Sequence, residues 1–169
     1  AHLMTRPETT ETQGSTPQSP PLKGRLRAAT GEDVRLHLID MEHRHGGREP
    51  WTARQFSAYC LRRRAGHGVV VFATERGAVV GCLAYVMTRE VFAIARLLVR
   101  PRARRRGVGR QLVERARMVA GHRVVYTCLS ERETDVLLFL KAMTIDTVGQ
   151  RSPKEEDREL VVRMARKPK

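Results

Sequence analysis

Acidic side chains, aromatic rings and cysteines are all scarce in this chain, and each shortage excludes something. Aromatics make up 5% of the 169 residues and none lies between Ile94 and Val113, the most basic stretch. That stretch therefore lacks the stacking platform that single-stranded nucleic acid needs. The three cysteines, Cys60, Cys82 and Cys128, are odd in number and lack metal-ligand spacing. A disulfide framework and a zinc site are thus not expected, and reduced thiols in or near the core of a cytoplasmic protein are. No apolar run approaches bilayer length, and no charged-then-apolar leader opens the chain. Membrane association is not expected either. Acids number 18 against 32 Lys and Arg, giving a net charge of +14. Such a surface attracts polyanions: nucleic acid, acidic protein or a multiply phosphorylated cofactor. An arginine-favouring, G+C-rich genome would produce part of the same bias.

What is present suits one α/β domain with a real hydrophobic core. Residues 1–24 are rich in Thr, Ser, Pro, Gln and Glu, so a disordered tail is expected there, with Ala1 to Met4 as a cloning remnant. The domain is expected over 25–169. Arg25 to Ala29 reads as a first strand. Thr30 caps a helix that Gly46-Gly47 stops, and Thr52 caps a second that ends in Arg62-Arg63-Arg64. Val69 to Thr74, Ala78 to Met87 and Val91 to Val99 read as three strands of an antiparallel meander. Gly109 to Ala120 has helical periodicity, with Gly121 as its stop. A strand from Arg123 to Leu129, a helix from Glu133 to Met143 and a last strand from Leu160 to Met164 follow. Residues 43–66 and 143–158 are left as loops or helix entries.

The segment Ile94 to Val113, IARLLVRPRARRRGVGRQLV, carries the chemistry. A strand runs through a Pro turn into an Arg- and Gly-rich loop, then into an amphipathic helix. Gly107 and Gly109 let a ligand approach the backbone closely. The first amides of the helix have no intrahelical partner, and its dipole favours anions. Six arginines between Arg100 and Arg110 add forked donors. The pattern suits a pyrophosphate. It is not a P-loop, since Gly-x-x-x-x-Gly-Lys-Ser/Thr is absent. Nor is it a dinucleotide fingerprint, since Leu112 stands where a third Gly belongs.

Arg104-x-x-Gly107-x-Gly109, with the strand before it and the helix after it, resembles the acyl-coenzyme A motif of the GNAT acetyltransferases. Glu49-Pro50-Trp51-Thr52-x-x-x-Phe56 resembles the helix entry of their RimI-type members, the ribosomal-protein alanine N-terminal acetyltransferases. The resemblance implies the GNAT-type acyl-CoA N-acyltransferase fold: a mixed, mostly antiparallel central sheet with helices on both faces. It implies acetyl-CoA as co-substrate, without a metal. Ile94 to Val99 would splay from Val124 to Leu129. Leu97, Leu98 and Val99 would line the pantetheine arm, and Arg104, Arg105, Arg106, Gly107, Val108, Gly109 and Arg110 would cradle the pyrophosphate. The acceptor would be an amine on a protein or a small molecule, with ribosome or nucleic-acid contact as a further role for the basic rim.

The same resemblance exposes departures. Thr127 stands where RimI-type enzymes carry a Glu, Phe139 where they carry a Tyr, Arg132 where they carry an Asn, and Met143-Thr144 where they carry Gly-Phe. Amide formation needs a proton acceptor for the amine and a donor for the developing oxyanion. Tyr126, Thr127 and Glu131 are the candidates, joined by Glu133, by Cys128 as a conceivable acyl carrier, and by His43, His45 and His67. The plainer readings are a core tyrosine, solvated loop carboxylates, a buried thiol and surface histidines. Asp40 and Glu42 read as the polar face of a helix. Three functions stay in view: an active N-acetyltransferase, a GNAT-fold binding module that has lost turnover, and a nucleic-acid-binding protein.

Overall fold

Apolar runs, the last three joined by short turns, produce the centre of the sheet. Strands β1 (Gly24–Ala28), β2 (His67–Thr74), β3 (Val79–Met87) and β4 (Val91–Val99) pair antiparallel in sequence order. Strand β5 (Val124–Ser130) joins β4 in parallel, and β6 (Ile145–Arg151) and β7 (Glu159–Met164) complete the sheet. Its order is β1-β2-β3-β4-β5-β7-β6. The computed structural model describes residues 20–46, 49–62, 66–130, 139, 145–151 and 159–164. The expected helix from Glu133 to Met143 therefore lies outside the described residues, Phe139 excepted, as do Glu131, Arg132 and Glu133.

Helices cover both faces, as expected. On one face lie α1 (31–45) and α2 (Ala53–Leu61), which bury Val34, Leu38, Met41 and Phe56 against Val71, Cys82 and Leu98 of the sheet. On the other lies α3 (Val108–Ala120), which buries Leu112, Val113, Ala116 and Ala120 against Phe72, Leu83, Phe92 and Val125. Gly81 on β3 lets α3 seat closely, since a Cβ there would stand 2.7 Å from Val108 Cγ1 and 3.1 Å from Leu112 Cδ1.

Three expectations need correction. Residues 145–151, taken as loop, form β6, because their backbone pairs with β7 although IDTVGQR has little apolar alternation. Helix α1 contains a π-helical stretch, Val34–Leu38, which apolar spacing cannot distinguish from α. Helix α2 stops at Leu61, one residue before the arginine run, because Arg62 takes an extended backbone.

The capping boxes form at both expected N-termini. At the first, the buried Asp33 carboxylate also takes two hydrogen bonds from Arg27, at 2.5 and 2.8 Å, besides the Thr30 amide at 2.7 Å. Arg27 foremost, with Thr30, lowers its pKa to about 2 against the opposing effect of burial. A lowered folded-state pKa contributes stability above the unfolded value, lost as pH falls through the folded one. Asp33→Asn is thus expected to cost about 2 kcal/mol at pH 7. Urea unfolding of both proteins should show that gap shrinking as pH falls from about 5 towards 2.

Candidate active site

The site begins where β4 and β5 part. Their parallel pairing runs from Val91↔Val124 to Ile94↔Thr127 and then ends. Beyond that point β5 pairs with β7, and β4 continues to Val99 with no partner on that side among the described residues. A β-bulge lies at the parting: Ala84 pairs Arg96 and Tyr85 pairs Ile94, so Ala95 is the extra residue. The bulge inverts the side-chain alternation. Before it, Phe92 and Ile94 face α3; after it, Leu98 packs on the α1–α2 face while Leu97 and Val99 pack towards α3.

Main-chain direction follows from the ladder. The Arg100 amide donates to Val80 O on β3 at 2.8 Å, so Leu98 and Arg96 also turn their main-chain groups towards β3. Leu97 and Val99 turn theirs to the open side. Of the three β4 residues expected at the pantetheine arm, Leu97 and Val99 therefore line the opening, and Leu98 is spent on the ladder and the core. Arg104 Nε donates to Val99 O at 3.0 Å, which leaves that carbonyl one lone pair.

The loop after β4 is shaped for an anion. Pro101–Ala103 makes a 3-10 turn, Arg105 takes φ 58° and Gly107 φ 82°. Two left-handed residues flanking Arg106 curl successive amides towards one side, the geometry of an anion-binding nest. Among the described residues, no acceptor meets the amides from Arg105 to Arg110. Among the described residues, three of the six arginines have protein partners: Arg100 with Asp40 and Val79 O, Arg104 with Val99 O, and Arg106 Nε with Pro20 O at 3.1 Å. Arg102, Arg105 and Arg110 are exposed. The Leu22 amide donates to Arg106 O at 3.0 Å, so residues 20–22 strap the loop from outside. Gly109 faces Phe139, whose Cζ would stand 3.3 Å from an added Cβ. The residues present fit a pyrophosphate-bearing cosubstrate: unpartnered amides at a helix start, an unpaired strand edge leading to them, and exposed guanidinium groups.

The acetyltransferase (GNAT) family model matches residues 34–137. The chain belongs to the GNAT acetyltransferases. Solved structures of the same fold include the ribosomal-protein-S18-alanine N-acetyltransferase from Escherichia coli, with TM-score 0.69 and 13% identity over 83% of this chain and 92% of that one. Arabidopsis thaliana Naa50, in complex with the bisubstrate analogue CoA-Ac-MVNAL, gives 0.68 and 13% over 85% and 99%. A mutant spermidine N-acetyltransferase SpeG from Vibrio cholerae gives 0.67 and 10% over 84% and 93%. A search of curated proteins finds no sequence match. Peptide and polyamine acetyltransferases stand about equally near, so this likeness carries the GNAT fold and not the acceptor.

The GNAT acid–base candidates divide between the two faces of β5. Thr127 is buried on the α3 face, following Val125, and its hydroxyl lies 3.4 Å from Ile94 O at the parting. Tyr126 alternates onto the α1–α2 face and is half-buried. His45, at the end of α1, has its pKa lowered by burial and then by the charges of Arg100 and Arg104. His67 Nδ1 is buried without a partner among the described residues, and His67 packs edge-on against Tyr59.

Two groups escaped the sequence reading. Glu42, read as helix surface, is 1% exposed, and its Oε1 accepts from Arg96 Nε at 2.7 Å. Arg96, read as mid-strand, lies over the Trp51 ring at 4.7 Å. A charged residue inside the run Ile94 to Val99 was the available signal for the second. Helical periodicity put Glu42 with Asp40 on the polar face and gave no sign of its burial.

The cysteines behave as expected for core thiols where they are described. Burial, then the Glu42 charge, pushes the Cys60 thiol up to about 12, and burial raises that of fully buried Cys82. Thiolate is the reactive form. In a Cys128→Ser variant, Ellman's reagent at pH 8 is expected to label neither remaining cysteine in the native protein, and both after guanidinium unfolding.

Proposed function

We propose that the enzyme acetylates a primary amine, on a protein N-terminus or side chain, by direct attack on acetyl-coenzyme A. The observation that carries this reading is the open edge of β4 running straight into a loop of unpartnered amides. The main chains of Leu97 and Val99 hold the pantetheine arm as an added strand would be held. The amides of Arg105, Arg106, Gly107, Val108, Gly109 and Arg110, with the exposed guanidinium groups of Arg105 and Arg110, hold the pyrophosphate. Arg104 and Arg106 act through the loop, one braced on Val99 and the other on Pro20. When bound, acetyl-coenzyme A supplies an acetyl thioester: the amine nitrogen bonds to its carbonyl carbon, the carbon–sulfur bond breaks, and the proton lost by the amine leaves with the thiol. Tyr126 is the first candidate to help that proton away, with Thr127 as a buried dipole and Glu131 as a loop carboxylate within the same region of sequence. Residues 25–169 are the transferase domain; of the tail before it, residues 20–22 strap the loop and Gly24 opens β1.

A second reading is a coenzyme A-binding module without turnover. It is favoured by Thr127 and Phe139 at positions where RimI-type enzymes place ionisable or hydroxyl-bearing groups. Titration calorimetry with acetyl-coenzyme A, followed by thiol-release assays over peptide and amine acceptors, separates the two. Binding with acceptor-dependent release of thiol supports the enzyme. Binding with no release from any acceptor favours the module, and no binding overturns both.

A further inference from the structure

Arg96 occupies a place the transferase reading leaves unused. It is the first β4 residue whose side chain the Ala95 bulge sends to the α1–α2 face. Its guanidinium is fixed on three sides. Nε donates to Glu42 Oε1 at 2.7 Å, Nη1 donates to Ala95 O at 3.2 Å, and the plane lies over Trp51 at 4.7 Å. Among the described residues Nη2 has no acceptor. Ala95 is also the first residue beyond the last β4–β5 pair. A rigid, forked donor with an unspent edge therefore sits at the point where the two strands part.

Stability alone gives little reason for it. A buried Arg–carboxylate pair seldom beats apolar side chains of the same volume, because desolvation offsets the attraction. This one carries a further cost, since Glu42 Oε2 is buried with no partner among the described residues. What the pair does provide is orientation: the guanidinium can take few other positions. The sequence that carries Trp51 is one-sided: residues 43–66 hold six arginines and a single acid, Glu49. A stretch of that charge attracts electronegative groups.

We propose that Arg96 selects the acceptor: its free edge donates to an oxygen, carboxylate or main-chain carbonyl, carried within a few bonds of the amine that is acetylated. Glu42 and Trp51 are the positioning residues that hold the guanidinium at that angle. The inference rests on the acetyltransferase reading and narrows its substrate class to amines with a neighbouring oxygen, as in a peptide N-terminus, and away from simple polyamines.

The test compares the full-length wild type with the double variant Glu42→Leu, Arg96→Met, which removes both charges and leaves neither unpaired. Three acceptors are used: an acidic peptide with a free N-terminus, a neutral C-terminally amidated peptide of equal length, and 1,4-diaminobutane. The variant is expected to melt within a few degrees of the wild type and to bind acetyl-coenzyme A equally. Its KM for peptide is expected to rise about ten- to a hundredfold, the size of one lost charge-assisted hydrogen bond, with the diamine unaffected. A rise confined to the acidic peptide identifies a carboxylate as the oxygen read, and a rise with both identifies the carbonyl. Unchanged peptide KM, an equal rise with the diamine, or wild-type preference for the diamine overturns the proposal alone. Acetyl-coenzyme A binding by the wild type with no transfer to any acceptor overturns the acetyltransferase reading, and this inference with it.

Discussion

Gly107→Glu is expected to weaken acetyl-coenzyme A binding by at least about a hundredfold without unfolding the protein. Gly107 has φ 82° and ψ 0°, and a Cβ built on it meets nothing within 4 Å. The substitution therefore causes no clash and costs only the left-handed conformation, about 1–2 kcal/mol. What changes is the field. The glutamate side chain enters between the left-handed Arg105 and the start of α3, where six amides lack acceptors among the described residues. It can take those amides itself, and it faces any phosphate that would. Two unit charges about 4 Å apart at an effective dielectric constant near 20 repel by about 4 kcal/mol, more than a hundredfold in affinity needs. Gly107→Ala is the control, because it carries the same backbone strain and no charge. Calorimetry should find the alanine variant within about tenfold of wild type, the scale of that strain. Equal binding by the glutamate variant would move the pyrophosphate away from the loop.

That loop shows how far one sequence reaches. Arg104-x-x-Gly107-x-Gly109 pointed to the curled loop ahead of α3 because glycine and helix-start chemistry are local properties, readable residue by residue. The strands from Val69 to Val99 were legible for a similar reason, since β2, β3 and β4 are apolar, β-branched and bounded by turns. Strand β6 was not, because IDTVGQR owes its conformation to the β7 backbone beside it rather than to its own pattern. The bulge was illegible as well. Nothing in IARLLV announces the extra residue at Ala95, yet that residue decides which face receives Arg96. Nor do six arginines in a row of eleven say which are free: the fold ties Arg100, Arg104 and Arg106 to carbonyls and an aspartate, and leaves the other three at the surface. Glu42 was misplaced because helical spacing gives a stripe and not its width, and the partner that makes its burial tolerable is 54 residues away.

Removing either member of that pair alone is expected to cost about 3–5 kcal/mol, and removing both almost nothing. Arg96→Met leaves the Glu42 carboxylate, 1% exposed, with no donor to either oxygen among the described residues. Glu42→Leu leaves a guanidinium whose side chain is 12% exposed, held by Ala95 O and the Trp51 face. The second case has those two supports and a route to water, so it should sit at the lower end of the range. In the double variant no buried charge remains. Leucine then packs beside Met41 and Leu38, and methionine keeps the contact with Trp51. Urea unfolding of the four proteins at pH 7 gives the cycle directly. A coupling energy of several kcal/mol with a near-neutral double variant means that the pair owes its place to orientation rather than to net stability. Additive losses would mean instead that each side chain is held by its own packing, and that Arg96 would keep its position without Glu42.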